Sequence, residues 1–452
     1  MLTLPSAAEP LIVSLAIAFT EPTFKRIVPL LVGAILTTGR HTVAAVLRTM
    51  RGLASGHCSD YHRVFSRAVW SPWWLGRILA GAILAWIPAD EPVLVPMDDT
   101  TAQHRGTKVY GKGCHRDAVR STHSHIVYRW GHKWVVLAIA VKFPFIQRRW
   151  ALPVLVALYR PEELNTAEKR RHKTPAHLAR QLAAALMHWF PSRKFVFLGD
   201  GGFASHDWAS FAHRHRRHAT LVARFHDDAC LYQPPPAVKP NTPKKQGRPR
   251  VKGAKLPTPA EVVVTARRRQ ATVDWYGGSS RKVQLVHGDG QWYRSGEGLV
   301  PVRWVYTHDV QGTHRDDYFY STDPTLDPAQ IVSWFTGRWP IETTFQEVRA
   351  QLGFETPRQR TEQSVLRTGP CLLGLFSLVC LIFAEYRKDH SPRLAQADWY
   401  AKTEPSFGDA IATVRRLFWQ KTIFGQPAHN EAFQKIPGKL RNLLLDCLTR
   451  AA

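Results

Sequence analysis

Three carboxylates stand at positions where their spacing could serve phosphodiester chemistry. Asp99 follows the apolar run Val93–Met97, and Asp200 follows the short apolar run Phe195–Leu198. If these runs form parallel neighbouring strands, their carboxyl ends meet at one edge of a sheet, where open α/β sheets place their sites. The third carboxylate, Glu342, lies in a segment that is predicted to be helical and has arginines on both sides.

A set of carboxylates suits a hard divalent cation. Mg²⁺ prefers carboxylate oxygens and retained water, and two ions about 3.5–4 Å apart can both activate an attacking oxygen and neutralise the developing charge. An Asp after a strand is more often a cap or turn residue, and an Arg-flanked Glu is commonly a solvated helix position. Together, Asp99, Asp200 and Glu342 nevertheless predict a catalytic metal site in which each residue is a ligand.

The charge of the chain predicts a polyanionic partner. Its 452 residues include 61 Lys and Arg against 35 Asp and Glu, a formal charge of +26. Because so many positive side chains repel one another, we expect a polyanion to neutralise them, and a nucleic acid is the natural partner. The longest apolar runs, Trp74–Ile87 and Cys371–Ala384, are each about 14 residues, shorter than the roughly 20 that a bilayer requires. We therefore predict double-stranded DNA as partner and no membrane.

The order of predicted elements indicates the fold class. We expect strands at Val93–Met97, Ser124–Arg129 and Trp134–Val141, a helix capped by Thr174, a strand at Phe195–Leu198, a helix at Asp207–His215 and a strand at Ala219–Phe225. Further strands are predicted at Glu261–Arg267, Lys282–His287, Val302–Thr307 and Tyr318–Ser321. This order predicts an α/β protein, a ribonuclease-H-like catalytic core interrupted by a mostly β insertion, with helical N- and C-terminal regions.

Shifts in composition predict five segments. Residues 1–90 form a helical N-terminal DNA-binding domain, and residues 91–225 form the first part of the core. Residues 226–323 form the β insertion with its basic, Pro-rich loop. Residues 324–390 return to the core with Glu342, and residues 391–452 form a helical C-terminal region that is a candidate for dimerisation, including Phe407–Trp419.

The residues around Glu342 carry a spaced pattern. Phe335 is followed after two residues by Arg338, after three more by Glu342 and after six more by Arg349. On a continuous helix the last three would lie near one face, although Pro340 could instead begin a new helix. The pattern resembles the signature Tyr, Arg, Glu, Lys, at the same spacing, of the cut-and-paste DDE transposases of bacterial insertion sequences.

The resemblance extends to the other two carboxylates. More narrowly, the sequence resembles the branch of that family in which a β insertion precedes the last carboxylate. Asp99-Thr100-Thr101 matches the branch's Asp-Thr-Thr and favours Asp99 over Asp98, and the second Asp of the family falls on Asp200. Phe replaces the signature Tyr, which removes a hydroxyl, and Arg replaces its Lys, which keeps a phosphate-binding charge.

The resemblance implies a function for the whole chain. It implies an enzyme that uses Mg²⁺, with Mn²⁺ able to substitute, to cleave DNA at the terminal inverted repeats of a mobile element and to join the 3′ ends to target DNA. It also implies a homodimer on paired ends and a place at the nucleoid in the bacterial cytoplasm. The DNA contacts that it implies are Arg224, Phe335, Arg338 and Arg349.

Other patterns leave alternatives open. The segment containing Gly247-Arg248-Pro249-Arg250 resembles an AT-hook, which lies in the minor groove of A·T-rich DNA, but it could equally be a solvated loop. A zinc site could be suggested by the close spacing of Cys114, His115, His123, His125 and His132, although no CxxC pair accompanies them. No Gly-rich phosphate loop with Lys is present, so we expect no ATP. A catalytically silent DNA-binding descendant, or a ribonuclease-H-like nuclease or resolvase, remains an alternative to a transposase.

Overall fold

The computed structural model describes residues 2–117, 120–122, 124–236, 250–391, 394, 399 and 401–450. The chain divides into two compact units. Unit 1 comprises Met1–Ile87, Asp99–Lys173 and Glu342–Ala452, and unit 2 comprises Pro88–Asp98 and Thr174–Ile341.

Among the described residues, four strands follow one another after the N-terminal helices, two more strands alternate with helices, and strands then dominate the insertion. They are β1 Val93–Gln103, β2 Gly113–Arg116, β3 Tyr128–Val141, β4 Trp150–Tyr159, β5 Phe195–Gly199, β6 Ala219–Arg224, β7 Leu231–Tyr232, β8 Arg269–Asp274, β9 Ser280–Arg294, β10 Gly298–Asp309 and β11 Asp317–Ser321.

The α-helices lie mainly near the two ends of the chain. They are α1 Glu9–Ser14, α2 Glu21–Leu36, α3 Val43–Thr49, α4 Cys58–Ser66, α5 Pro72–Leu84, α6 Glu162–Ala167, α7 Pro175–Trp189, α8 His206–Arg214, α9 Pro259–Thr265, α10 Pro328–Thr336, α11 Pro340–Leu352, α12 Glu362–Asp389, α13 Phe407–Phe418, α14 Pro427–Lys435 and α15 Gly438–Thr449.

The sheet of unit 2 begins with parallel strands. The first residues of β1 pair in parallel with β5, from Val93 with Phe195 to Pro96 with Leu198, and β5 pairs in parallel with β6. The insertion then continues this sheet, because β11 pairs antiparallel with β6 and β10 pairs antiparallel with β11. The predicted insertion is therefore built onto the edge of the core sheet of unit 2.

The strands of unit 1 are antiparallel. The strand β3 pairs with β2 on one side and with β4 along its length, and the last part of β1, which belongs to unit 1, also neighbours β3. Each pairing thus lies within one unit, since β1 runs through both. The strand orders β4-β3-β1 within unit 1 and β1-β5-β6 within unit 2 confirm the predicted α/β class with its ribonuclease-H-like core.

Several predicted elements differ from the structure. The strand predicted at Ser124–Arg129 and the one predicted at Trp134–Val141 are replaced by one strand, Tyr128–Val141. The core strand Trp150–Tyr159 was not predicted. It is buried on both faces over most of its length and contains Pro153, so it has neither the alternation nor the composition by which sequence reasoning recognises a strand.

Two helices show how capping decides local structure. Thr174 accepts a hydrogen bond from the backbone N–H of His177, which confirms the predicted start of α7. The strand predicted at Glu261–Arg267 is wrong, because the helix Pro259–Thr265 occupies most of that segment. There Thr258 and Glu261 form a capping box, a helix signal that outweighs the strand preference of the Val run that follows it.

The apolar run predicted at Cys371–Ala384 belongs to the 28-residue helix Glu362–Asp389. This helix is long and apolar enough to cross a membrane, with a mean hydropathy of 2.0 over its most apolar stretch. The expectation that the segment is too short was therefore wrong. However, 72% of that stretch is buried inside the protein, and the helix contacts β4 and α5 in unit 1, as a core helix does.

The C-terminal helices are tied into unit 1 by a buried guanidinium. Arg415, in Phe407–Phe418, is 0% exposed and donates hydrogen bonds to the carbonyls of Ile35, Thr37, Gln351 and Thr449. The apolar residues of this helix are also buried. Its apolar face is thus occupied by packing within unit 1, so this helix does not offer that face to a second chain.

Candidate active site

The strand β1 presents two consecutive carboxylates with different partners. The Asp98 carboxylate lies 2.8 Å from a guanidinium nitrogen of Arg338 in unit 2, and both side chains are largely buried. The Asp99 carboxylate lies 2.9 Å from Nζ of Lys133 on β3 in unit 1, and both side chains are about a quarter exposed. Because successive strand residues point to opposite faces, each carboxylate has its own environment.

The residues after Asp99 are fixed by Arg349. Its guanidinium donates to the hydroxyl of Thr100 and to the carbonyl of Thr101, at 2.9 Å for the carbonyl, and it lies 3.5 Å from the Glu355 carboxylate. Burial lowers the pKa of Arg349, although Glu355 acts against this shift. Arg349 therefore holds the end of β1 in unit 1, and its predicted contact with DNA stays a prediction.

Asp200 immediately follows β5 in unit 2. It lies two residues beyond Leu198, and Asp98 lies two residues beyond the partner of Leu198, Pro96. One oxygen of the Asp200 carboxylate accepts a hydrogen bond of 2.9 Å from the backbone N–H of Gly202, which caps a short 3₁₀ turn. In the register of these parallel strands, Asp98 rather than the predicted Asp99 corresponds to Asp200. Asp99 lies inside β1, so the prediction that it follows the strand was wrong, and its assignment to the catalytic set stays a prediction.

Glu342 lies in the first turn of α11 and is exposed. The helix begins at Pro340, so the alternative in which Pro340 starts a new helix is confirmed. The spaced pattern therefore spans two helices, because Phe335 lies in Pro328–Thr336. The other alternative, one continuous helix from Arg338 to Arg349, does not occur, because Pro340 disfavours a helical conformation at the residue before it.

The remaining predicted DNA contacts are placed unequally. Phe335 is 3% exposed and its ring packs against Phe319 at a centroid distance of 4.3 Å. Arg224, 37% exposed, lies 3.1 Å from the carboxylate of Asp317. Burial raises the pKa of Asp317, and the charge of Arg224 acts in the opposite direction. For Phe335, Arg224 and Arg338 a contact with DNA stays a prediction, although each has a partner within unit 2.

The AT-hook segment is only partly described. Arg248 lies outside the described residues, whereas Arg250 is described and exposed. The zinc alternative gains no support from the described residues. Burial lowers the pKa of His115 and of His132 to about 4 in each case. His123 lies outside the described residues.

The carboxylates suit Mg²⁺ by their chemistry. They are oxygen donors, and the Asp99 carboxylate already has a cationic partner in Lys133. Among the residues that the structure describes, no group of three or more His, Cys, Asp and Glu side chains is arranged to hold a metal ion. The donor type therefore fits Mg²⁺, and the set Asp99, Asp200 and Glu342 stays a prediction.

Comparison with known proteins adds a family to this geometry. The sequence model of the DDE superfamily endonucleases matches residues 14–282. The chain belongs to this family. The resemblance seen in the sequence is thereby confirmed, and the matched residues of this DDE endonuclease include Asp99 and Asp200. Glu342 lies beyond the matched residues.

No curated protein matches this DDE endonuclease in sequence. Among solved structures, it is similar to a piggyBac transposase synaptic complex with hairpin DNA studied by cryo-EM. The TM-score is 0.40 and the sequence identity 11%, with 98% of this chain and 80% of that chain covered.

Sequence reasoning missed the partners of the two neighbouring Asp residues. Lys133 directly precedes the apolar run Trp134–Val141, and a charged side chain next to a buried strand requires a partner of opposite charge. This signal could have identified Lys133 as the partner of a carboxylate on a neighbouring strand. The pairing of Asp98 with Arg338 had no comparable signal, because 240 residues separate them.

Proposed function

We propose that this DDE endonuclease is a DNA transposase. It binds the terminal inverted repeats of a mobile element, cleaves the DNA by metal-dependent hydrolysis and joins the 3′ ends to target DNA by transesterification. The observation that carries the proposal is the family match, whose residues include Asp99 on the strand β1 and Asp200 directly after the strand β5. The charge of +26 supports a DNA substrate.

The proposed roles are divided between carboxylates and cations. Asp99, Asp200 and Glu342 would hold Mg²⁺ or Mn²⁺, which when bound activates the attacking oxygen and stabilises charge on the phosphodiester. Arg349 keeps the Asp99-Thr100-Thr101 segment in place through its bonds to both threonines. The bonds of Gly202 and Asp200 orient the Asp200 carboxylate. Affinity for DNA comes mainly from lysines and arginines that bind phosphates.

The proposal includes the assembly and the location of the protein. An enzyme that joins two ends must hold both, so we expect a homodimer on paired ends that works without ATP at the nucleoid of the bacterial cytoplasm. Light scattering of the complex with end DNA measures the number of chains. One chain on two ends would contradict the dimer.

The decisive experiment separates the three candidate functions. The purified protein is incubated with Mg²⁺ or Mn²⁺ and DNA that carries the sequences flanking its gene, and the products are resolved for nicking and for strand joining. A transposase nicks at the repeat ends and joins the new 3′ hydroxyls to a second DNA. Nicking without joining would favour a ribonuclease-H-like nuclease or resolvase. Binding without nicking in either metal would favour a catalytically silent descendant.

A further inference from the structure

Two large aromatic side chains stand exposed on one strand of unit 1. Tyr128 and Trp130, on β3, are 62% and 58% exposed. An exposed aromatic ring is common singly, but neighbouring exposed rings on a strand face are typical of a binding surface. Since the same strand continues into the core from Trp134 onward, its first residues are displayed on a rigid support.

The pairing with β2 places further residues on the same face. Cys114 is the partner of Trp130, and Arg116 is the partner of Tyr128, and directly opposed residues of antiparallel strands share a face. Both partners are exposed. We call the set Lys112, Cys114, Arg116, Tyr128 and Trp130 the aromatic face.

Lys112 adds a fixed cation to this face. Its Nζ lies 5.4 Å from the centroid of the Trp130 ring and donates a hydrogen bond of 2.7 Å to the carbonyl of Gly106. A cation over an aromatic ring at this distance is attracted to the electrons of the ring. The Trp130 ring and the Lys112 ammonium are therefore held next to each other at the surface. Such a pair can bind a nucleotide, because the ring stacks on the base and the ammonium binds the phosphate.

A groove of about 550 Å³ opens next to Trp130. Lys112, Tyr110, Arg160 and Glu168 also line it. The carboxylate of Glu168 should repel an anion in this groove little, because two arginines balance its charge. It lies 2.5 Å from Arg160 and also pairs with Arg170. Its volume is within the range of sites that hold small molecules.

The surrounding segment is strongly basic. Residues 104–133 contain seven Lys and Arg and a single acid, Asp117. Asp117 is buried and lies 3.0 Å from Arg129. The net positive charge of this segment is therefore complementary to a polyanion.

We propose that the aromatic face binds unpaired nucleotides of DNA, with bases stacked on Trp130 and Tyr128 and phosphates bound by Lys112 and Arg116. Two rings two residues apart on a strand form a stacking platform, and stacking on an aromatic ring requires a base that has left the duplex. This inference rests on the proposed function, because strand cleavage exposes unpaired bases at DNA ends.

The experiment compares single-stranded with duplex DNA. The probes are fluorescein-labelled oligo(dT) of about 12 nucleotides, a length that one such platform covers, and a duplex of equal length. Trp130→Ala should weaken binding of the single strand by about 5- to 150-fold, the loss typical of one stacked base, and change duplex binding by less than about twofold. Trp130→Phe keeps a ring and should retain most of the affinity.

Two further variants complete the binding test. Trp399 is 89% exposed, so Trp399→Ala is the matched control and should bind both probes like the original protein. Replacing both Lys112 and Arg116 with Ala should reduce the salt dependence of single-strand binding. The slope of the logarithm of the binding constant against the logarithm of the salt concentration should become shallower by about 0.7 for each lost phosphate contact. Equal losses on both probes for Trp130→Ala, or no loss on either, would overturn the proposal.

A second measurement locates the bound base directly. Oligonucleotides carrying 5-iododeoxyuridine are photo-crosslinked, and the attached peptide is identified by mass spectrometry. A crosslink at Tyr128 or Trp130 is expected, and a crosslink confined to other segments refutes the aromatic face. Failure of the original protein to nick DNA would refute the transposase and leave this result standing. Nicking by a protein that crosslinks elsewhere would refute only the aromatic face.

Discussion

The ammonium of Lys133 lies 2.9 Å from the carboxylate of Asp99 in unit 1. A divalent cation that binds Asp99 has to compete with this charge, because both are attracted to the same carboxylate. Lys133→Gln should therefore tighten binding of Mn²⁺ by about fivefold, which corresponds to the roughly 1 kcal/mol of a partly exposed ion pair. Electron paramagnetic resonance of free Mn²⁺ measures this affinity without any cleavage assay.

The matched control for Lys133 is Lys142→Gln. Lys142 directly follows β3 and is exposed, so its removal changes the net charge equally without touching Asp99. Mn²⁺ affinity should then change little. An unchanged or weaker affinity in Lys133→Gln would show that Lys133 supports the metal site in another way.

Neighbouring Asp residues should respond differently to substitution. Asp99→Asn, Asp200→Asn and Glu342→Gln should each abolish Mg²⁺-dependent nicking and leave end binding largely intact, because DNA affinity depends mainly on Lys and Arg. Exposed Glu431, paired with Lys435 near the C-terminus, offers the control Glu431→Gln. A variant of the first three that nicks at the full rate would lose its assigned role.

Asp98→Asn should instead act on stability. Asp98 and Arg338 are only 17% and 12% exposed, and neutralising one partner of a largely buried ion pair costs about 3 kcal/mol. We expect a lower urea midpoint for Asp98→Asn than for Asp99→Asn, measured by circular dichroism. Equal midpoints would mean that the ion pair of Asp98 and Arg338 contributes little to folding.

The site and the fold were predictable from sequence to different degrees. Short apolar runs predicted the starts of β1 and β5 and the position of Asp200 directly after β5, and Thr174 predicted the start of α7, because these signals are local. The same reasoning ended β1 too early, since the strand continues past Asp99 to Gln103. The burial of Phe335 and the pairing of Asp98 with Arg338 depend on contacts between segments that are distant in the chain. No local pattern encodes such contacts, and Pro340 was informative only because proline acts on its own neighbours.

The basic loop of the insertion gives a prediction about DNA composition. If Arg248 and Arg250 lie in a minor groove, replacing both with Ala should reduce the salt slope of DNA binding by up to about two units. Affinity for A·T-rich duplexes should fall more than affinity for G·C-rich ones, because their groove widths differ. Titration of both duplexes at several salt concentrations tests this. Equal losses would leave only a non-specific electrostatic role.

The buried His132 should make stability depend on pH. Its Nε2–H donates to the carbonyl of Tyr110 at 2.8 Å, and burial lowers the pKa of His132 to about 4 from the ordinary 6.5. The folded protein thus keeps His132 neutral while the unfolded chain takes up a proton below pH 6.5. Stability is full above pH 6.5 and falls as the pH drops towards 4, by at most about 3 kcal/mol from this group.

Urea unfolding at several pH values measures this dependence. His132→Gln should reduce the fall between pH 6.5 and 4, because glutamine does not titrate. Part of the fall should remain, because burial also lowers the pKa of His115 to about 4. The control is the exposed His188 at the end of α7, and His188→Gln should keep the fall of the original protein. A slope that His132→Gln leaves unchanged would assign the dependence to other groups.

Arg415 should be the most sensitive position in the C-terminal region. Its guanidinium is fully buried and bonds to carbonyls of residues 35, 37, 351 and 449, so one side chain connects α2, α11 and α15 to α13. Burial lowers the pKa of Arg415 to about 10, yet the group stays charged at neutral pH. Arg415→Met removes all these donors and leaves buried carbonyls without them, which should cost about 3–5 kcal/mol.

The adjacent Arg416 gives the comparison for this prediction. Arg416 is 23% exposed and lies 2.8 Å from Asp446, so Arg416→Met loses a partly exposed pair and should cost about 1 kcal/mol or less. Both variants are unfolded in urea and followed by circular dichroism and by proteolysis of the C-terminal helices. Because Arg415 bonds to the carbonyl of Thr449, Arg415→Met should expose α15 to protease first. Similar midpoints for the two variants would contradict the central role of Arg415 in unit 1.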